Sequence, residues 1–124
     1  MTNQKQFGVW MDTHHATIVG SENAENGLSV LAHVEGEEVS PSPSNKNENH
    51  QKKMLQAKFF KEICSHLQNV TYLHATGTGQ VQEQFIHYLA ETPQFKNMRT
   101  EESTANKMSD ENLVKYFSDK LVNG

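Results

Sequence analysis

Asp12-Thr13-His14-His15 places a carboxylate and two imidazoles within four residues. Carboxylate oxygen and imidazole nitrogen are ligands for divalent transition metals, and His74 is a further imidazole that could join them. A metal-dependent nuclease or phosphoesterase would therefore use Asp12, His14, His15 and His74. A two-metal nuclease needs an oxygen-rich cage around ions about 4 Å apart. Glu62 is the one acid on a nearby expected helix, and the fourth expected strand ends in His74 instead of an acid. The plainer reading makes the Asp-Thr-His-His run a turn.

Thr76-Gly77-Thr78-Gly79 is a second candidate. Two glycines ahead of a helix could turn backbone N–H groups toward a phosphate. The third glycine of a dinucleotide fingerprint and the lysine of a phosphate-binding loop are both missing, so a strand-to-helix turn with Thr78 as N-cap competes with it. Lys46, Lys52 and Lys53 form the third candidate, a basic group able to meet nucleic-acid phosphates. Glu37, Glu38 and Glu48 lie in the same region and would hold a cation only if that loop were ordered.

The whole chain has 124 residues, a length suited to a single domain spanning 1–124. Net charge is −4 and apolar residues make up 35%, so a broad basic footprint for naked nucleic acid is absent. The single cysteine, Cys64, rules out an internal disulfide, and its place in an apolar helical stripe suggests an inert buried thiol. No run approaches the roughly 20 apolar residues of a membrane span, and no leader pattern opens the chain. A cytoplasmic protein without a cofactor and without a membrane partner is expected.

The elements that must position these residues follow from periodicity. Residues 7–11, 16–19 and 28–34 read as three strands joined by short turns, the third alternating Leu28, Val30, Ala32 and Val34 against Ser29, Leu31 and His33. Residues 37–50 hold Pro41-Ser42-Pro43-Ser44 and almost nothing apolar, which predicts a mobile loop. A helix is expected over 51–68, with Leu55, Phe59, Ile63 and Leu67 on one stripe widened by Met54, Phe60 and Cys64. A strand over 70–75, a helix over 80–91, a short strand over 97–102 and a last helix capped by Ser109 complete the chain. Residues 103–107 are expected to be loop, His66 and His87 helix surface, and Trp10 core. The order βββ-αβαβ-α predicts an α/β fold, a ribonuclease-H-like mixed five-stranded sheet with three helices. Ligands of such sheets bind beyond the carboxyl ends of parallel strands, where residues 12–15, 74–79 and 101–107 should meet.

The run Phe7-Gly8-Val9-Trp10-Met11-Asp12, the two strands after it, the polar insertion, the helix and then Val70-Thr71-Tyr72-Leu73-His74-Ala75-Thr76-Gly77 resemble the middle domain of the eukaryotic and archaeal class-1 release factor and its relative Pelota. The resemblance covers nearly the whole chain and points to small stand-alone bacterial proteins of that pattern. It implies a role at the translation machinery, with the ribosome or RNA as partner. In release factors the loop after the third strand carries a Gly-Gly-Gln tripeptide. The matching residues 37–50 lack it, so peptidyl-tRNA hydrolysis is not implied. Gly77-Thr78-Gly79-Gln80 lies after the fourth strand and does not correspond to that motif.

Three functions stay open on this reading. The first is a non-catalytic translation-associated binding module using Asp12, His14, His15, His74, Thr76, Gly77, Thr78, Gly79, Lys46, Lys52 and Lys53. The second is the metal-dependent phosphoesterase. The third is a protein-interaction domain with no ligand, and the sequence specifies no oligomeric state.

Overall fold

A computed structural model describes residues 6–20, 28–36, 48–67, 70–95 and 97–122. Its elements are β1 (Gln6–Met11), β2 (His15–Gly20), β3 (Ser29–Glu35), α1 (Glu48–Cys64), β4 (Tyr72–Gly77), α2 (Val81–Ala90), a 3₁₀ turn (Pro93–Phe95), β5 (Arg99–Thr104), α3 (Asp110–Phe117) and a π-type turn (Ser118–Val122). The expected order of strands and helices is the observed one.

The strands form one sheet in the order β3-β2-β1-β4-β5. β1 pairs antiparallel with β2 and parallel with β4, and β4 pairs parallel with β5. β1 and β4 are buried almost end to end because helices cover both their faces. Phe7, Val9, Met11, Leu73 and Ala75 point to the α1/α2 layer, where Phe59, Phe60, Ile63, Leu67, Phe85 and Leu89 close the main core. Trp10 and Val19 point the other way and meet Leu113 and Phe117 of α3 in a smaller core. Full burial of one such side chain contributes roughly 1.5–3 kcal/mol, so even the smaller layer holds α3 firmly. Gly8 belongs to this second face. A Cβ there would strike the Phe117 ring, so its absence lets α3 lie close to the sheet.

Several boundaries differ from expectation, each for a local reason. α1 begins at Glu48, inside the region expected to be loop, and ends at Cys64 instead of residue 68. Its last turn tightens: Ser65 N–H is shared between the Lys61 and Glu62 carbonyls, and His66 and Leu67 bond three residues back. Residues 37–47, including Lys46, lie outside the described residues. Met54 does not join the buried stripe and is 59% exposed. β3 does not present one alternating face. A bulge between β2 and β3 sets Ile18 opposite Ala32 but Val19 opposite Val30, leaving Leu31 as the extra residue. Ala32 and Val34 therefore face the main core, while Leu28 and Val30 turn to the α3 side.

β4 runs two residues further than expected, so His74 sits in mid-strand. Gly77 stays in the strand because a Cβ there would collide with the Met11 carbonyl oxygen. α2 then starts at Val81 with Gln80 as its N-cap and no side-chain cap, so Thr78, two residues before that cap, does not serve as one. Ser109 does cap α3, accepting the Asn112 N–H at 3.2 Å. Among the described residues no helix is long and apolar enough to cross a membrane.

Candidate functional site

Two clusters hold the chemistry-bearing residues, and the sheet keeps them apart. The first lies beyond the carboxyl ends of β1, β4 and β5. Met11 pairs with Gly77, and Gly77 with Thr104, so Asp12, Thr78 and Ala105 leave the sheet side by side. The Ala105 N–H donates to the Gly77 carbonyl at 2.8 Å. The chain just beyond β1, β4 and β5 therefore converges there, but residues 74–77 and 101–104, expected in these loops, lie within β4 and β5.

Asp12 is held by its own turn. Its Oδ1 accepts the His14 N–H at 2.8 Å and the His15 N–H at 2.6 Å, and lies 3.2 Å from His15 Nδ1. The Asp12 N–H in turn donates to the His15 carbonyl at 2.9 Å. Burial raises the Asp12 pKa, but the two backbone N–H bonds and the neighbouring His15 imidazole outweigh it and hold the carboxyl below its usual value. His14 Nδ1 lies 3.0 Å from Thr13 Oγ1. These contacts fix a hairpin. Gly36 N–H also donates to the His14 carbonyl at 2.7 Å, so the residue after β3 is tied beside this turn. Thr78 and Gly79 are exposed next to it, and a Cβ on Gly79 would meet nothing within 4 Å.

His74 is not part of that end. It pairs with Gly8, four residues before Asp12 on β1, which at about 3.3 Å per residue sets the two roughly 13 Å apart along the sheet. Among the described residues no three His, Cys, Asp or Glu side chains gather in a form that could hold a metal ion.

The second cluster surrounds His74 beneath α3. In β4, side chains at alternate positions face α3, which puts His74 and Thr76 on that side, with Ser103 of β5 paired beside Thr76. Ser103 Oγ is the hub. It donates to Thr76 Oγ1 at 2.9 Å and lies 2.7 Å from both His74 Nε2 and Tyr116 Oη. One hydroxyl has one proton, so with that proton on Thr76 the other two contacts must be received. The network thus assigns the Nε2–H tautomer to His74 and makes Tyr116 a donor.

The side chain of His74 is 4% exposed, and its Nδ1 has no hydrogen-bond partner. Glu101 Oε2 stands 3.8 Å from Nδ1, beyond hydrogen-bond reach. Burial and then the Lys120 charge push the His74 pKa down, against a smaller opposite pull from Glu101. The Tyr72 hydroxyl, pushed up to about 12 by burial and by its hydrogen bond to Glu101, stays protonated beside that carboxylate.

Serine, histidine and carboxylate in line resemble a nucleophilic triad by composition but not by geometry. In a triad the acid grips the far nitrogen of the histidine, whereas here Glu101 stands 3.8 Å from His74 Nδ1, which has no hydrogen-bond partner. The cluster acts as a polar clasp that fastens α3 to the sheet. Tyr116 and Phe117 also meet His74 edge-on, at centroid distances of 6.3 and 6.0 Å. Ser103 and Tyr116 were invisible as partners in the sequence, because 103 reads as loop and 116 as the flank of an apolar stripe. Only the isolated polar His74 within an apolar strand signals that something must meet it.

Of the remaining candidates, Thr76 and Gly77 are buried, Lys53 is exposed on α1, and Lys52 lies in α1 with its side chain outside the described residues. Burial pushes the half-buried Cys64 thiol up to about 12, in keeping with an inert thiol. Trp10 is 3% exposed and donates its indole N–H to the Ala105 carbonyl at 3.1 Å, a core role.

No family model matches the sequence, and no curated protein matches it. Solved structures do match. Pelota of Archaeoglobus fulgidus superposes with a TM-score of 0.64 at 12% identity, covering 98% of this chain and 33% of that one. Pelota of Thermoplasma acidophilum gives 0.58 at 18%, covering 98% and 33%. An archaeal translation termination factor gives 0.58 at 16%, covering 95% and 35%. The chain spans about a third of the length of each. At such identities the likeness is one of fold. It bears out the mixed α/β sheet and the resemblance to one domain of these proteins.

Proposed function

We propose that this chain is a non-catalytic module of the translation machinery that binds the ribosome or its RNA. The observation that supports this most is the fold likeness over nearly the whole chain to an archaeal translation termination factor and to Pelota. The contact element is the insertion between β3 and α1 with Lys46, Lys52 and Lys53. Its base is the Asp12–His15 turn, to which Gly36 is tied, and the exposed Thr78 and Gly79 extend the same end of the sheet. Residues 37–50 hold no Gly-Gly-Gln tripeptide, which favours binding without hydrolysis.

Co-sedimentation with ribosomes through sucrose, at low and moderate salt, tests this. Binding should weaken with salt, because lysine–phosphate contacts release counterions. The triple variant K46E/K52E/K53E should weaken it further and flatten the salt dependence, by about one unit of slope for each phosphate no longer neutralised. No binding of the wild type at either salt, or binding unchanged by the triple variant, defeats the proposal.

A further inference from the structure

The face of the sheet opposite α3 carries an open groove of about 570 Å³ between α1 and α2. Its floor is Ala57 and the half-buried Tyr88, whose ring lies 5.5 Å from that of the buried Phe60 beneath it. The two helices are bridged there by the Gln56 amide, which donates to Gln84 Oε1 at 2.7 Å. One wall carries Glu83 on α2 and Glu91 at its C-cap, eight residues apart on one stripe with His87 between them. Neither side chain has an ion-pair partner among the described residues. Lys53 stands on the facing wall, on α1.

An aromatic floor beside unpaired carboxylates suits a cationic side chain. The aliphatic stem of arginine or lysine lies along the ring, the head over the ring face, and the charge reaches the acid. Eight helical residues rise about 12 Å, which is too far for one such head to serve both acids. It is the spacing of residues i and i+8 on a second helix laid along α2. Lys53 opposes a uniformly basic segment and so favours one whose cations lie along a single flank. The same carboxylates repel phosphate, which argues against nucleic acid.

We propose that this groove docks a basic amphipathic helix of a protein partner, with two basic residues eight apart meeting Glu83 and Glu91 and an apolar residue at i+4 seated on Ala57 and Tyr88. This surface shares only Lys53 with the ribosome contact, and E83K/E91K leaves Lys46, Lys52 and Lys53 in place, so the ribosome assay and the test below can fail separately.

The test is a titration of the full ¹⁵N-labelled chain with a designed helical peptide carrying Arg at i and i+8 and Leu at i+4. Amide shifts confined to 53–60 and 80–91, a loss of at least tenfold in affinity for E83K/E91K, and no binding of the same peptide with Glu for Arg would support it. Both substituted residues are exposed, and circular dichroism of the variant should match the wild type. Absence of binding, equal affinity for E83K/E91K, shifts mapping elsewhere, or a single-stranded oligonucleotide moving the same amides would overturn it.

Discussion

Replacing Ser103 by alanine removes one oxygen and strands three partners. Each hydrogen bond of this kind has a net value of about 0.5–1.5 kcal/mol, and a buried donor left unpaired costs about 1–3 kcal/mol. Tyr116 is only half-buried and recovers part of its loss from water, whereas His74 is sealed beneath α3 and recovers nothing. The expected loss is therefore about 2–4 kcal/mol. With a urea m-value of about 1–3 kcal/mol/M, the unfolding midpoint should fall by roughly 1–2 M. Trp10 is the single tryptophan and lies in the same layer, so its fluorescence reports the region directly, with far-UV circular dichroism as the second probe. Tyr116→Phe should cost about 0.5–1.5 kcal/mol alone. In a double-mutant cycle with Ser103→Ala it should show coupling of about 0.5 kcal/mol or more. Thr104→Ala, exposed and next in the chain, should stay within about 0.5 kcal/mol of wild type. A Ser103→Ala variant as stable as Thr104→Ala would refute the hub, and with it the tautomer assigned to His74.

The remaining predictions concern His74 and two glycines. The folded pKa of His74 lies below its unfolded value of about 6.5, so in the interval between them the unfolded chain binds more protons. The stability it contributes is full above about pH 6.5 and is lost as pH falls through that value toward the lower folded pKa. Urea midpoints at pH 8 and pH 5 should differ more in the wild type than in His74→Gln, and equal differences would contradict the reasoning. Gly77→Ala should destabilise by about 1–3 kcal/mol by forcing β4 off the Met11 carbonyl. Gly79→Ala, with open space at its Cβ, should change thermal unfolding little, and a reversal of that ranking would count against the described approach of β4 to β1.

Much of the fold was legible because burial repeats. Phe59 and Ile63 announce α1, Phe85 and Leu89 announce α2, and Leu113 and Phe117 announce α3, at spacings that a helix turns to one side. Ser109 announces the start of α3 by its chemistry alone. Boundaries were less legible where a tertiary contact decides them. Gly77 looks like a turn residue by type, yet it stays in β4 because the neighbouring backbone passes where a side chain would be. Leu31 reads as the outward member of an alternating strand, and a bulge, which leaves no mark in the composition, turns the rest of β3 over. The site was legible only in part for the same reason. Asp12, His14 and His15 are local and were found together. Ser103, His74 and Tyr116 come from three elements and share no spacing. The alignment of Glu83, His87 and Glu91 is periodic, but its meaning depends on α1 standing opposite.

The sheet ends in β5, which pairs with β4 on one side and carries the exposed Arg99, Glu101 and Glu102. An unpaired strand edge invites a second copy to extend the sheet. If two copies of β5 met antiparallel along this edge, residues directly opposite would share a face of the sheet, so the central registers set Glu101 against Glu101 or Glu102 against Glu102, and like charges placed directly opposite are destabilising. The acidic pair thus works against edge-to-edge pairing of β5 with a second copy.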